Sequence, residues 1–67
     1  MEAMYWAVLV SAEGTKLEFR VSERQMDDLS FEMRAKGVIN LNTDKTIRVI
    51  DMSKVMSLAF REVPKGN

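Results

Sequence analysis

The side chains that could carry chemistry in this chain are carboxylates, lysines, hydroxyls and one tyrosine, because it contains neither histidine nor cysteine. The commonest general base, the thiol nucleophile and the usual zinc ligands are therefore missing. The three glycines are isolated from one another, so they form neither a phosphate-binding loop nor a dinucleotide-binding fingerprint. We expect a protein that binds a partner without catalysing a reaction, and we expect no cofactor.

The one cluster of carboxylates lies in a predicted helix and comprises Asp27, Asp28 and Glu32. Oxygen ligands of this kind suit magnesium or calcium, but no cation-binding loop pattern accompanies them. Acidic residues in the first turns of a helix are also favoured by the positive end of the helix dipole. We interpret these side chains as a solvated helix face and predict no metal site.

Aromatic side chains are the first candidates for binding a partner, since they concentrate binding energy at interfaces. Tyr5 and Trp6 belong to the first apolar run of the chain. Phe31 points about 140° away from Met26 on a helical wheel and so lies off the expected core face. The leading hypothesis is a homo-oligomeric protein that occupies the surface of a host protein, with Phe31, Tyr5 and Trp6 as apolar anchors.

Arginines support a second hypothesis, in which the chain binds a small anionic ligand such as a nucleotide. Arg20, Arg48 or Arg61 would hold the anion and an aromatic ring would stack on its base. Nucleic-acid binding is a third hypothesis, but ten basic and ten acidic residues give zero net charge. Glu18 also lies between Lys16 and Arg20 on one strand face, which disfavours a polyanion at this surface.

The elements that must position these residues follow from hydrophobic periodicity. Residues 5–10 and 16–21 predict a hairpin, and residues 38–41 and 46–50 predict a second one. A last strand covers 55–63, with Met56, Leu58 and Phe60 on one face and with Val55, Ser57, Ala59 and Arg61 on the other. The prediction is an α+β fold, a small mostly antiparallel sheet with one helix in the order β-β-α-β-β-β.

The helix between the two hairpins has clear start and stop signals. Ser22 and Gln25 form a capping-box pair, and one face carries Met26, Leu29 and Met33. Gly37 is expected to supply a left-handed cap after Lys36. These signals predict a helix from about Glu23 to Lys36.

The chain has 67 residues, which predicts a single domain over 1–63 with a disordered tail at 64–67. Such a small core normally needs disulfides, a metal or a partner subunit, and the first two are disfavoured here. The first strand is apolar on both faces, so we expect another chain to cover some of this surface. A symmetric dimer burying roughly 600 to 1,000 Å² per subunit is the first expectation.

The N-terminal sequence favours the cytoplasm. No basic segment precedes the apolar run, and this run is far shorter than the roughly 20 residues of a membrane span. We therefore expect neither export nor membrane insertion.

The helix opening Val-Ser-Glu-Arg-Gln and the closing segment Ile-Asp-Met-Ser-Lys-Val-Met-Ser-Leu-Ala-Phe follow a short hairpin. This arrangement resembles small uncharacterised proteins encoded by phages and mobile elements of Gram-positive bacteria. The resemblance implies a role such as inhibiting a host enzyme, sequestering a defence-signalling nucleotide or regulating transcription. It assigns no functional residue.

Overall fold

The computed structural model describes residues 3–43 and 45–64. Within these residues the predicted α+β class and the order β-β-α-β-β-β are confirmed. The elements are β1 (Met4–Ser11), β2 (Lys16–Ser22), α1 (Glu23–Ala35), β3 (Val38–Thr43), β4 (Thr46–Asp51), a 3-10 turn (Met52–Lys54) and β5 (Val55–Glu62). The tail predicted at 64–67 lies outside the described residues except for Pro64, which is exposed and follows the last strand.

The five strands form two antiparallel sheets where the sequence predicted one. The larger sheet has the order β2-β1-β5, and the smaller one is the β3-β4 hairpin. Ala7 of β1 lies opposite Phe19 of β2 on one side and opposite Phe60 of β5 on the other. Hairpin pairing is local and readable from the sequence, whereas the return of β5 to β1 depends on packing between distant segments.

The hydrophobic core lies between the inner face of the three-stranded sheet, helix α1 and the second hairpin. It comprises Ala7, Leu9, Phe19, Val21, Leu29, Ile39, Leu41 and Met52. Met52 was not expected there, because residues 51–54 interrupt the strand pattern. The 3-10 turn directs its side chain inward, and the Met52 backbone N–H donates to the Gly37 carbonyl at 2.8 Å.

Helix α1 begins as predicted. The Gln25 N–H donates to Ser22 Oγ at 3.2 Å and the Ser22 N–H donates to Gln25 Oε1 at 2.9 Å, so the capping box is complete. The Gln25 side chain also donates to the Asn42 carbonyl at 2.8 Å, which ties the helix start to β3.

The end of the helix differs from the prediction. Lys36, with φ 57°, takes the left-handed conformation that was expected of Gly37. A Cβ at Gly37 would instead meet the Glu32 carboxylate, so this glycine allows a close approach of that side chain. The helix therefore ends at Ala35, and Lys36 adopts a conformation that is costly for a residue with a Cβ.

The faces predicted for the last strand are wrong at its start. The β1-β5 register shifts between Val10 and Ser11, so Met56 is an extra residue in β5. A β-bulge of this kind reverses the alternation on one side of it. Val55 packs against the core as a result, and Met56 is 69% exposed.

Candidate functional site

The outer face of the three-stranded sheet is the main surface that the fold leaves open. Helix α1 and the second hairpin both pack on the inner face, so no element of the described chain covers the outer one. Along the central strand this open face presents Trp6, Val8 and Val10, all half-buried. The described part of the chain covers only the inner face of β1, and the expectation that another chain covers some of the outer face stays a prediction.

Trp6 lies between two arginines on this open face. The register places Arg20 of β2 opposite Trp6 on one side and Arg61 of β5 opposite it on the other. The Arg20 guanidinium carbon is 5.9 Å from the centroid of the indole ring, within the range of a cation-π contact. Directly opposite side chains in an antiparallel sheet are neighbours, so an aromatic ring and two positive charges form one row across the three strands.

Glu18, which lies between Lys16 and Arg20 in the sequence, forms an ion pair with Lys16. Its carboxylate lies 3.5 Å from the Lys16 ammonium group, at the end of β2 away from Arg20. In the register it stands opposite Val8, one row removed from Trp6. The described part of this face thus carries two arginines beside Trp6 and an ion pair one row away, although the net charge of the whole chain is zero.

Arg48, the third arginine of the ligand hypothesis, is not part of this surface. It lies on β4, and its Nε donates to Thr43 Oγ1 at 3.1 Å. Its guanidinium carbon is 5.1 Å from the ring centroid of Phe19, a core residue only 2% exposed. Arg48 thus packs the second hairpin against the inner face, and the structure separates it from Arg20 and Arg61.

The three aromatic anchors of the partner hypothesis do not form one surface either. Tyr5 lies on the inner face and packs against the core. Phe31 is 62% exposed on the solvent side of α1, as its position on the helical wheel predicted. Trp6 faces outward from the opposite side of the sheet, so Trp6 and Phe31 cannot contact one small ligand together.

A second exposed apolar surface lies on the outer face of the second hairpin and was missed from the sequence. Val38, Ile47 and Val49 are 58%, 70% and 66% exposed. Asn40 and Asn42 stand opposite Val49 and Ile47 in the register and are also exposed. The available signal was that β4 carries large aliphatic side chains on both of its faces.

A shallow cavity of about 260 Å³ lies between β4 and the turn end of the first hairpin. Its wall is mostly apolar and includes Leu9, Leu17, Val49, Ile50 and Val55. Specific small-molecule sites combine an apolar wall with a few convergent polar groups. The charged groups here are Asp51 and Lys54. Asp51 already caps the 3-10 turn by accepting from the Ser53 N–H at 3.0 Å, so its carboxylate is partly occupied.

Metal-binding clusters and membrane-spanning helices are both absent from the described ranges, 3–43 and 45–64. No group of three acidic side chains there is arranged to hold a metal ion, and Asp27 and Asp28 are exposed. The same residues contain no helix with the length and apolar character needed to cross a membrane.

Comparison with known proteins adds no assignment to this geometry. No family model matches the chain, and neither a curated protein nor a solved structure is significantly similar to it. The function of the open sheet face must therefore be inferred from its own residues.

Proposed function

We propose that this protein is a non-enzymatic binding protein whose ligand lies on the open sheet face, with a planar ring stacked on Trp6 and an anionic group held by Arg20 and Arg61. The ligand chemistry that fits is a nucleotide, either free or as a unit of a single strand. The observation that supports the proposal is the row Arg20–Trp6–Arg61, one residue from each strand of the sheet.

The chemistry of the row suits a nucleotide for two reasons. Any nucleic-acid base can stack on an exposed aromatic ring, because every base has a π-face. Arginine donates to phosphate oxygens through a planar fork of N–H groups, and this geometry is well matched to phosphate. Arg20 and Arg61 flank the ring from opposite strands, so a phosphate on either side of a stacked base would meet a guanidinium group.

The openness of the face predicts modest affinity for a single nucleotide. Stacking contributes about 1–3 kcal/mol per base, and a hydrogen bond to a charged group contributes about 1.5–3 kcal/mol. Together these place the dissociation constant of a mononucleotide on the order of millimolar. A ligand with several phosphates or several bases would bind more tightly.

Trp6 is the one tryptophan of the chain, so its fluorescence reports directly on the proposed site. We expect nucleoside monophosphates and short single-stranded oligonucleotides to quench it in a saturable way. Arg20→Gln and Arg61→Gln should each weaken binding several-fold. Arg24→Gln, on the exposed surface of α1, is the matched control and should leave binding unchanged.

Comparing the two ligands identifies the source of the nucleotide. Much tighter binding of oligonucleotides, with affinity falling steeply as salt rises, would indicate a single strand. Similar affinity per nucleotide would indicate a free ligand. Fluorescence unchanged by both ligands, or quenching that Arg24→Gln weakens as much as Arg61→Gln, would overturn the proposal.

A free nucleotide would fit one role implied by the resemblance to phage and mobile-element proteins, the sequestration of a signalling nucleotide in the cytoplasm. The second candidate function remains the occupation of a host protein surface. The exposed aliphatic side chains Val38, Ile47 and Val49 favour it, since exposed apolar clusters mark protein contacts. Under this alternative, Val49→Asp would abolish partner capture while Arg61→Gln would not.

A further inference from the structure

The edges of the three-stranded sheet are protected to different degrees. Edge strands invite pairing with other chains unless charges, prolines, bulges or covering elements prevent it. The β2 edge carries Lys16, Glu18 and Arg20 at alternate positions, and β3 lies beside it. On β5, by contrast, the five residues from Met56 to Phe60 carry no charge.

Both strands of the second hairpin are also edge strands. The uncharged β3 lies beside β2, whereas β4 has a charge at its centre. Arg48 lies in the middle of β4 and points inward, where its Nε donates a hydrogen bond to Thr43 Oγ1. Inward-pointing charges are one of the devices that discourage pairing at an edge. Among the described strands, β5 is the longest edge. Its bulge at Met56 lies near one end, and the stretch from Ser57 to Phe60 has neither a charge nor a bulge. This strand pairs only with β1.

The core is also less well covered on the β5 side. Leu58 and Phe60 point inward and pack against the core, but both are only half-buried. Their neighbours on β1, Leu9 and Ala7, are 2% and 0% exposed. A further strand beside β5 would continue the apolar inner face and cover these two side chains.

We propose that β5 pairs antiparallel with β5 of a second copy of this chain, with the two-fold axis at Ala59, to give a continuous six-stranded sheet. An antiparallel strand edge is self-complementary in its backbone hydrogen bonds, so an identical strand fits it. A second copy also supplies burial that a 67-residue chain without cysteine lacks.

The side chains of β5 are compatible with this register. Centring the pair on Ala59 places a small side chain against its own copy on the axis. Arg61 then lies opposite the partner's Ser57, and the regular pairing ends at the bulge of Met56. A register centred on Arg61 would place two arginines directly opposite each other, which is destabilising. Both copies would present Trp6 on the same side of the joined sheet.

A single introduced cysteine tests both the dimer and its register, because the natural chain has none. Opposite Cα atoms in an antiparallel pair are about 4.5–5.5 Å apart, which lies within disulfide reach. Under mild oxidation, Ala59→Cys should give a disulfide-linked dimer as the main product. Phe31→Cys and Val49→Cys, both at exposed positions outside β5, are the controls and should form little disulfide-linked dimer.

Native mass spectrometry of the unmodified chain completes the test. We expect a dimer at micromolar concentration, and Ala59→Arg should convert it to a monomer by placing two charges on the axis. A natural chain that stays monomeric would overturn the proposal. So would a dimer linked efficiently through position 31 or 49, or one whose cysteines at position 59 do not join.

Discussion

On the inner face of the three-stranded sheet, Ala7 and Leu9 of β1 are 0% and 2% exposed, whereas Trp6, Val8 and Val10 on the outer face of the same strand are half-buried. The inner face meets a helix and a hairpin, and its side chains make the core. The outer face meets no described element and places an aromatic ring between two arginines. A strand that is apolar on both faces thus supplies folding energy on one side and leaves the other available for binding.

The largest effect should come from removing a side chain of the inner layer. Leu29 is 0% exposed, so Leu29→Ala should lower the free energy of unfolding by about 2–5 kcal/mol. Phe31→Ala, two residues along the same helix and 62% exposed there, should change it by less than about 0.5 kcal/mol. Urea unfolding followed by circular dichroism measures both. Equal losses in the two variants would contradict the assignment of the helix faces.

The arginines should separate according to the face on which they lie. Arg48→Gln removes the bond to Thr43 and the contact with Phe19, and should lower stability by about 1–2 kcal/mol without changing nucleotide binding. Arg61→Gln should weaken binding several-fold and change stability by less than about 0.5 kcal/mol. Thermal unfolding and Trp6 fluorescence titration of both variants provide the comparison. The reverse pattern would show that the two faces have been assigned wrongly.

A smaller effect is expected at the end of the helix, outside both faces. Lys36 has φ 57°, so Lys36→Gly should raise the free energy of unfolding by about 0.5–1 kcal/mol by removing a strained Cβ. Gly37→Ala, at the next position, is the variant to compare with it. The new methyl group would need to displace only the flexible Glu32 side chain. A loss of stability in Lys36→Gly would contradict this account of the cap.

The smallest effect concerns pH. Hydrogen bonds from the Ser53 side chain and backbone to Asp51, followed by the nearby charge of Lys54, lower the pKa of this carboxyl from its usual value of 3.8. A depressed pKa contributes stability that is present above the unfolded-state value and is lost as the pH falls through the folded-state value. The natural chain should therefore lose stability relative to Asp51→Asn between pH 6 and pH values below about 4. Urea midpoints of the two proteins that fall in parallel over this range would count against the Ser53 bonds.

How far the sequence predicts this molecule depends on how local each feature is. The capping box joins Ser22 and Gln25, which are only three positions apart, and it was predicted in full. The bulge at Met56 arises from pairing with β1, so no pattern within the last strand reveals it. The Trp6 row is less local still, because Arg61 comes opposite Trp6 only through a register between the two ends of the chain. The sequence therefore supplied the residues of the site separately, grouped with Tyr5, Phe31 and Arg48, which the fold places elsewhere.

Amide and indole NMR shifts during titration with a short single-stranded oligonucleotide would test the difference between the two faces most directly. Binding at the open sheet face predicts saturable shifts at the Trp6 indole and at the amides of Val8, Arg20 and Arg61. The amide signals of Phe31, Val49 and their neighbours should not shift. Shifts confined to the helix or to the second hairpin, with an unchanged Trp6 indole signal, would contradict the assignment of this face as the binding surface.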